Sequence, residues 1–191
     1  NTDPREMANY GWKNLKVKAS KKRNTLDKLE ETNIIELMKE NGDHEFADEF
    51  AWLVDIGMRY ESEMLTFSIK DINWKKKTIN FHRGKTNTES GDLPLSKRAF
   101  SIASRYRDVA LQKTSQRMFS HSKHQLEALF KKYRLKSEFA DFTPYVTRHM
   151  FGTRLGERGV NPKIIAKMMG HACVETAQKY YIKATTKGME R

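Results

Sequence analysis

A chain of 191 residues with 38% hydrophobic positions is long enough for one sizeable domain with a real core, which excludes wholesale disorder. No run approaches the ~18 apolar residues of a membrane span, and the polar start NTDPREMANYGWKN carries no signal-peptide pattern. The net charge is +12, and Asp27 to Glu63 holds 12 acidic and three basic residues, so the rest carries 33 basic against 12 acidic, a local net of +21.

A basic body with one acidic segment points to a polyanionic partner, and nucleic acid is the first candidate. One cysteine, Cys173, leaves no internal disulfide and fits a reducing cytoplasm. The chain does not begin with Met and reads as a piece of a longer protein.

In chain order, residues 1–24 hold six Lys and Arg between Lys13 and Arg23 without periodicity, a basic arm or linker. A domain over 25–191 follows. Leu26, Leu29, Ile34, Leu37 and Met38 keep helical spacing, with Thr25 placed as the cap and Asn41-Gly42 as the stop. HEFADEFAWLVDIG carries so wide an apolar face that it predicts a helix deep in the core. The period then changes, predicting three short strands at about 66–71, 77–82 and 92–95, with a turn at Asn73 to Lys76 and a polar hairpin loop from Arg83 to Gly91. From Ser96 onward the pattern is helical. NPKIIAKMMG is punctuated by Asn161 as cap, Pro162 in the first turn and Gly170 at the left-handed end, with Ile164, Ile165, Met168 and Met169 on one face. The expected fold is mainly α with a small three-stranded antiparallel β-sheet.

Metal and nucleotide chemistry find little footing. His121 and His124 are wrongly spaced for two ligands on one helix face, a lone cysteine cannot build a structural zinc site, and neither a P-loop nor GxGxxG occurs. Lys75-Lys76-Lys77 fits a solvated turn or a phosphate contact. Phosphoryl transfer without a metal needs cations for the non-bridging oxygens, an acid for the leaving oxygen and a nucleophile. Arginine suits the clamp because its planar fork matches phosphate oxygens and stays charged. Arg59, Lys85, Arg148 and His171 stand in four short stretches that offer these parts, and Tyr180 and Tyr181 stand side by side as nucleophile candidates.

Taken in order, GMRYESEML, GKTNTESGDLPLS, TPYVTRHMFGTRL and MMGHACVETAQKYY resemble the catalytic domain of the tyrosine recombinases, the phage-integrase family, across about residues 25–185. The resemblance implies roles. Arg59 and Arg148 clamp the scissile phosphate, Lys85 protonates the leaving 5′ oxygen, and His171 hydrogen-bonds the phosphate. Tyr180, nine residues after His171, attacks to leave a 3′-phosphotyrosyl link, and Tyr181 packs. It implies a site-specific integrase acting on double-stranded DNA as a homo-tetramer on paired sites, with no cofactor and no membrane. It further implies work in the cytoplasm or nucleoid of a bacterial host, with an upstream DNA-clasping domain lying outside this chain. Two departures stand out. The family acid usually falls three residues after the first arginine, whereas here Glu63 is at plus four and Glu61 competes for the role. Tyr145 stands where the family has histidine; a phenol titrates near ~10 and imidazole near ~6.5, so it is the weaker base. The telomere-resolvase branch also resembles Tyr-x-x-Arg here. That resolvase, a chromosome-dimer resolvase and a non-catalytic DNA-binding module are therefore the rival readings.

Overall fold

The architecture comes from a computed structural model, which describes residues 25–83, 88–137, 139, 141–171 and 174–178. Helix α1 (Lys28–Glu40) starts at Asp27, not Thr25. The Asp27 carboxylate accepts from the Glu30 N–H at 2.8 Å, and the Glu30 carboxylate accepts from the Asp27 N–H at 2.7 Å. This reciprocal cap satisfies two backbone donors at once, which a lone threonine cannot do. Helix α2 (His44–Ile56) is the axis of the domain, with Phe46, Phe50, Trp52 and Leu53 fully buried. Around it Phe46, Phe50, Phe130 and Phe142 pack with ring centroids 5.1–6.4 Å apart.

The sheet departs from expectation at its first strand. Residues 66–71 alternate in burial but form two short 3-10 turns, Met64–Thr66 and Ile69–Asp71. The Ser68 hydroxyl accepts from the Lys70 N–H at 3.2 Å, and the Asp71 carboxylate accepts from the Ser68 N–H at 2.9 Å. These local bonds compete with the ladder and delay it. Strand β1 is Ile72–Asn73, β2 is Thr78–Ile79, β3 is His82–Arg83, β4 is Thr88–Glu89 and β5 is Leu93–Pro94. β1, β2 and β5 make a three-stranded antiparallel sheet in that order, while β3 and β4 pair as a separate antiparallel ladder within the polar loop. Along this stretch Ile79, Phe81 and Arg83 face inward while Asn80 and His82 face out.

Helices α3 (Lys97–Gln112), α4 (Lys123–Lys136), α5 (Pro144–Glu157) and α6 (Pro162–Met169) complete the described α-helices of eight residues or more, and 174–178 is also helical. α6 has the predicted punctuation, with the Asn161 side chain accepting from the Lys163 N–H and Gly170 left-handed at φ +59°. Its buried side is Ile165, Ala166 and Met169, and Ile164, expected on that face, is 53% exposed. Among the described residues no helix is long and apolar enough to cross a membrane.

Two glycines, Gly57 after α2 and Gly170 after α6, end the elements that carry the candidate site. Gly57 stops α2 at φ +72°, and a Cβ there would lie 2.3 Å from a ring carbon of Phe151. Gly42 has φ +79° but open space around it. Gly57→Ala therefore combines left-handed strain with overpacking and should cost about 2–4 kcal/mol. Gly42→Ala should cost only about 1–2 kcal/mol. Urea denaturation of both variants measures the gap, and equal losses would show that Phe151 yields freely.

Candidate active site

The turn after α2, the inner edge of β3, the second turn of α5 and the end of α6 meet at one carboxylate. Glu63 is fully buried. Its Oε1 accepts from Arg59 Nη1 at 2.5 Å, and its Oε2 accepts from the Arg59 backbone N–H at 2.8 Å. Arg83 Nη1 lies 3.4 Å from Oε1, and Arg148 Nη1 lies 3.8 Å from Oε2. The extra residue between Arg59 and its acid is absorbed by helical turn geometry, with the Glu63 N–H donating to the Arg59 carbonyl at 3.0 Å. Glu61 plays no part in this cluster; it pairs at the surface with Lys123 at 2.5 Å and accepts from the Tyr60 hydroxyl.

The same three arginines close the end of α6. A helix leaves its last carbonyls without backbone partners. Here the Gly170 and His171 N–H groups reach the Lys167 and Ala166 carbonyls. The next three carbonyls each take one guanidinium. Arg83 Nη2 donates to Met168 at 2.5 Å, Arg148 Nη2 donates to Met169, and Arg59 Nη2 donates to Gly170 at 3.2 Å. Arg148 Nη1 also donates to the Gly57 carbonyl at 2.6 Å, tying the end of α2 to the end of α6. The negative end of the helix dipole favours these cations. Three guanidiniums against one buried carboxylate leave a surplus of positive charge beside His171, which favours an anion.

His171 follows directly on this turn and is half-buried. Desolvation first, and then the charges of Arg148, Arg59 and Arg83, push its pKa from the ordinary 6.5 down to about 4. It is thus a neutral imidazole at pH 7, able to donate one hydrogen bond to an anion. Tyr145 lies one turn before Arg148 on α5 and is 44% exposed, its ring edge-on to Tyr60 with centroids 5.8 Å apart. The Tyr60 hydroxyl lies 3.0 Å from both Glu61 and Glu127, so the floor under Tyr145 is fixed. Lys85, Tyr180, Tyr181 and Cys173 lie outside the described residues.

Of the expected site residues, the structure thus brings Arg59, Arg148 and His171 together and sets Tyr145 on the same helix as Arg148. Arg83 is the residue that sequence reasoning missed. Its signal was the alternation Ile79, Phe81, Arg83: an arginine on the buried face of a strand demands an acid within reach. A concavity of about 1100 Å³ lies elsewhere, lined in part by Glu31, Asp55, Arg98 and Arg154 and sharing no residue with this cluster. His121 and His124 also stay apart. His121 Nδ1 lies 2.7 Å from buried Glu49, with Glu45 close by, whereas His124 is exposed beside Glu127.

A mainly helical domain with a small antiparallel sheet and this arrangement of elements is the fold of tyrosine-recombinase catalytic domains. The chain belongs to the phage integrase family, which it matches over residues 24–187. Tyrosine recombinase XerA of Pyrococcus horikoshii is 32% identical over 143 residues, covering 71% of this chain and 49% of that protein. The transposase of Tn916 from Enterococcus faecalis is 26% identical over 171 residues, 72% of this chain and 42% of that protein. The chain spans about half the length of the curated relatives it matches. Among solved structures, the fold is shared with the Tn1549 transposon integrase in complex with a circular intermediate DNA. The TM-score is 0.66 at 18% identity, over 91% of this chain and 67% of that one. It is shared as well with XerH site-specific recombinase bound to its difH substrate, with a TM-score of 0.68 at 18% identity, over 87% and 52%.

The depressed His171 pKa has a defined consequence. Unfolded, the imidazole takes a proton near its ordinary value of 6.5; folded, it resists until about pH 4. Stability from this group is therefore complete above the unfolded value and declines as pH falls through that window. Histidine ring NMR should show His171 neutral from pH 5 to 8, while His121, raised by its bond to Glu49, stays protonated above its ordinary value. A His171 titration midpoint near 6.5 would contradict the electrostatics of the cluster.

Proposed function

We propose that this chain is the catalytic domain of a site-specific tyrosine recombinase that cuts and rejoins duplex DNA without a metal. The observation that carries the reading is the convergence of Arg59, Arg148 and His171 at the end of α6, on a buried carboxylate, in a chain of the phage integrase family.

Arg59 and Arg148 grip the two non-bridging oxygens of the scissile phosphate, and their stabilisation grows as charge develops in the transition state. Neutral His171 donates a hydrogen bond to the same phosphate without adding a charge. Tyr180 attacks phosphorus, its phenolic proton passing to solvent. The P–O5′ bond breaks, and O5′ leaves as a hydroxyl with a proton from the Lys85 ammonium. The product is a 3′-phosphotyrosyl ester, which conserves the bond energy for attack by another 5′ hydroxyl. Tyr145 serves as a hydrogen-bonding group on the rim, since a phenol is no base at neutral pH. The basic surface outside Asp27–Glu63 follows the DNA phosphates. Assembly as a tetramer on paired sites, and the reading of residues 1–24 as an arm toward a separate DNA-clasping domain, complete the proposal.

The test is covalent capture. The protein is mixed with nicked duplexes of random sequence and analysed on a denaturing gel. Wild type and Tyr181→Phe should form a protein–DNA adduct. Tyr180→Phe should form none, while its DNA affinity stays within about fivefold, since one lost neutral contact is worth about 1 kcal/mol. An adduct that survives in Tyr180→Phe and disappears in Tyr181→Phe would move the nucleophile by one position. DNA binding with no adduct in the parent would leave a binding module.

A further inference from the structure

We infer that Arg83 is a positioning residue for the general acid: it pins the start of the lysine-bearing segment to the histidine turn. The inference rests on the reading of Lys85 as the proton donor.

The argument begins with burial. The Arg83 side chain is 2% exposed, more deeply buried than Arg59 at 15% or Arg148 at 9%. So enclosed a guanidinium has little surface to offer a phosphate, yet taking its charge out of water is costly. Burial indeed lowers its pKa, against the pull of Glu63. The group is held by two bonds that point to different elements: Nη1 to the Glu63 carboxylate at 3.4 Å and Nη2 to the Met168 carbonyl at 2.5 Å. A guanidinium suits this task because its two ends are rigidly spaced, and an ammonium offers one point only.

The stem of the side chain matters as much as the head. A Cβ at Gly170 would lie 2.7 Å from Arg83 Cδ and 2.8 Å from Nε. Arg83 therefore runs flat against the backbone of the residue before His171. The glycine serves both its left-handed φ and this close approach. On the strand side, Arg83 faces Thr88 across the β3–β4 ladder and its guanidinium stacks over Phe81 at 5.0 Å. Lys85 is two residues further along the chain. One side chain thus fixes the distance between the backbone entering the lysine segment and the turn that carries His171. The backbone that leads toward Lys85 is thereby tied to the clamp, although the two come from distant parts of the sequence.

Leaving-group chemistry separates this role from a general structural one. Replacing O5′ with sulfur gives a thiolate leaving group that departs without a proton, so it removes the need for an acid and for anything that positions it. A duplex recovered by covalent capture from the random pool is made with oxygen or sulfur at the cleavage position. Single-turnover cleavage of both is then measured with the full chain. Arg83→Gln should slow the oxygen substrate by about a hundredfold, the scale of a general-acid contribution, and the sulfur substrate by less than about threefold. Lys85→Ala should show the same selectivity, and Arg59→Ala should slow both substrates alike. The sulfur-to-oxygen ratio is read within one preparation, so a partly folded variant lowers both rates and leaves the ratio intact. Arg83→Lys, which keeps the charge but only one contact, provides a second variant and should fall between wild type and Arg83→Gln in that ratio. Equal slowing of both substrates in the two Arg83 variants, or no slowing at all, would overturn the inference while Lys85→Ala is still rescued by sulfur. A Lys85→Ala enzyme that sulfur fails to rescue would overturn the assignment of the acid, and this inference with it.

Discussion

The arrangement depends on one buried negative charge. Glu63 has no solvent exposure, and three guanidiniums approach it from the end of α2, from β3 and from α5. A lone buried carboxylate is strongly disfavoured, and so are three cations crowded together; each makes the other tolerable. The shared second partner is the end of α6, whose last three carbonyls accept one arginine each. The elements that must be assembled for the site are therefore joined through its charged groups and not only through the hydrophobic core. Preorganisation follows, because the arginines are already ordered before any anion arrives.

That order has local consequences. Gly57 and Gly170 both sit at left-handed turns where a Cβ would strike a neighbour, Phe151 in one case and Arg83 in the other. His171, placed beyond the second glycine, is kept neutral by its burial first and by the positive field of the arginines second. An imidazolium there would repel the arginines; a neutral ring adds a donor without adding charge. Tyr145 on the rim fits the same logic. In the proposed mechanism a hydrogen bond from the Tyr145 phenol stands in for an imidazole, and the ring is steadied by Tyr60.

Much of this was legible in the sequence. The four short motifs around Arg59, Lys85, Arg148 and His171 with Tyr180, taken in order, carried the resemblance to the family, and Asn161, Pro162 and Gly170 marked the bounds of α6 by local chemistry alone. Helical periodicity found α2 and its deep burial. What stayed hidden was what depends on competition or on tertiary partners. Residues 66–71 have a strand's alternation, but the side chains of Ser68 and Asp71 satisfy the backbone locally and make 3-10 turns. Asp27 outcompetes Thr25 as the cap because Glu30 completes a reciprocal pair. Ile164 is exposed because so short a helix buries only a narrow face. The choice of Glu63 over Glu61 rested on an extra residue absorbed by a helical turn, which spacing rules do not capture. Arg83 was in plain view on the inward side of the Ile79–Phe81 alternation, but its partner lies 20 residues away in sequence and becomes visible only in three dimensions.

If the Glu63 carboxylate orders the arginines before any anion binds, NMR of the arginine side-chain N–H groups in the free protein at neutral pH, wild type against Glu63→Gln, should show it. Gln keeps the shape but replaces one accepting oxygen with a donor, which cannot face a guanidinium. In wild type, Arg59, Arg83 and Arg148 should give resolved, slowly exchanging guanidinium signals. In Glu63→Gln these should collapse together into the fast-exchanging pool, with the backbone spectrum of α2 and α4 unchanged. Three sets of guanidinium signals that persist unaltered in Glu63→Gln would show that the end of α6 alone holds the clamp, and that the buried carboxylate is not its organiser.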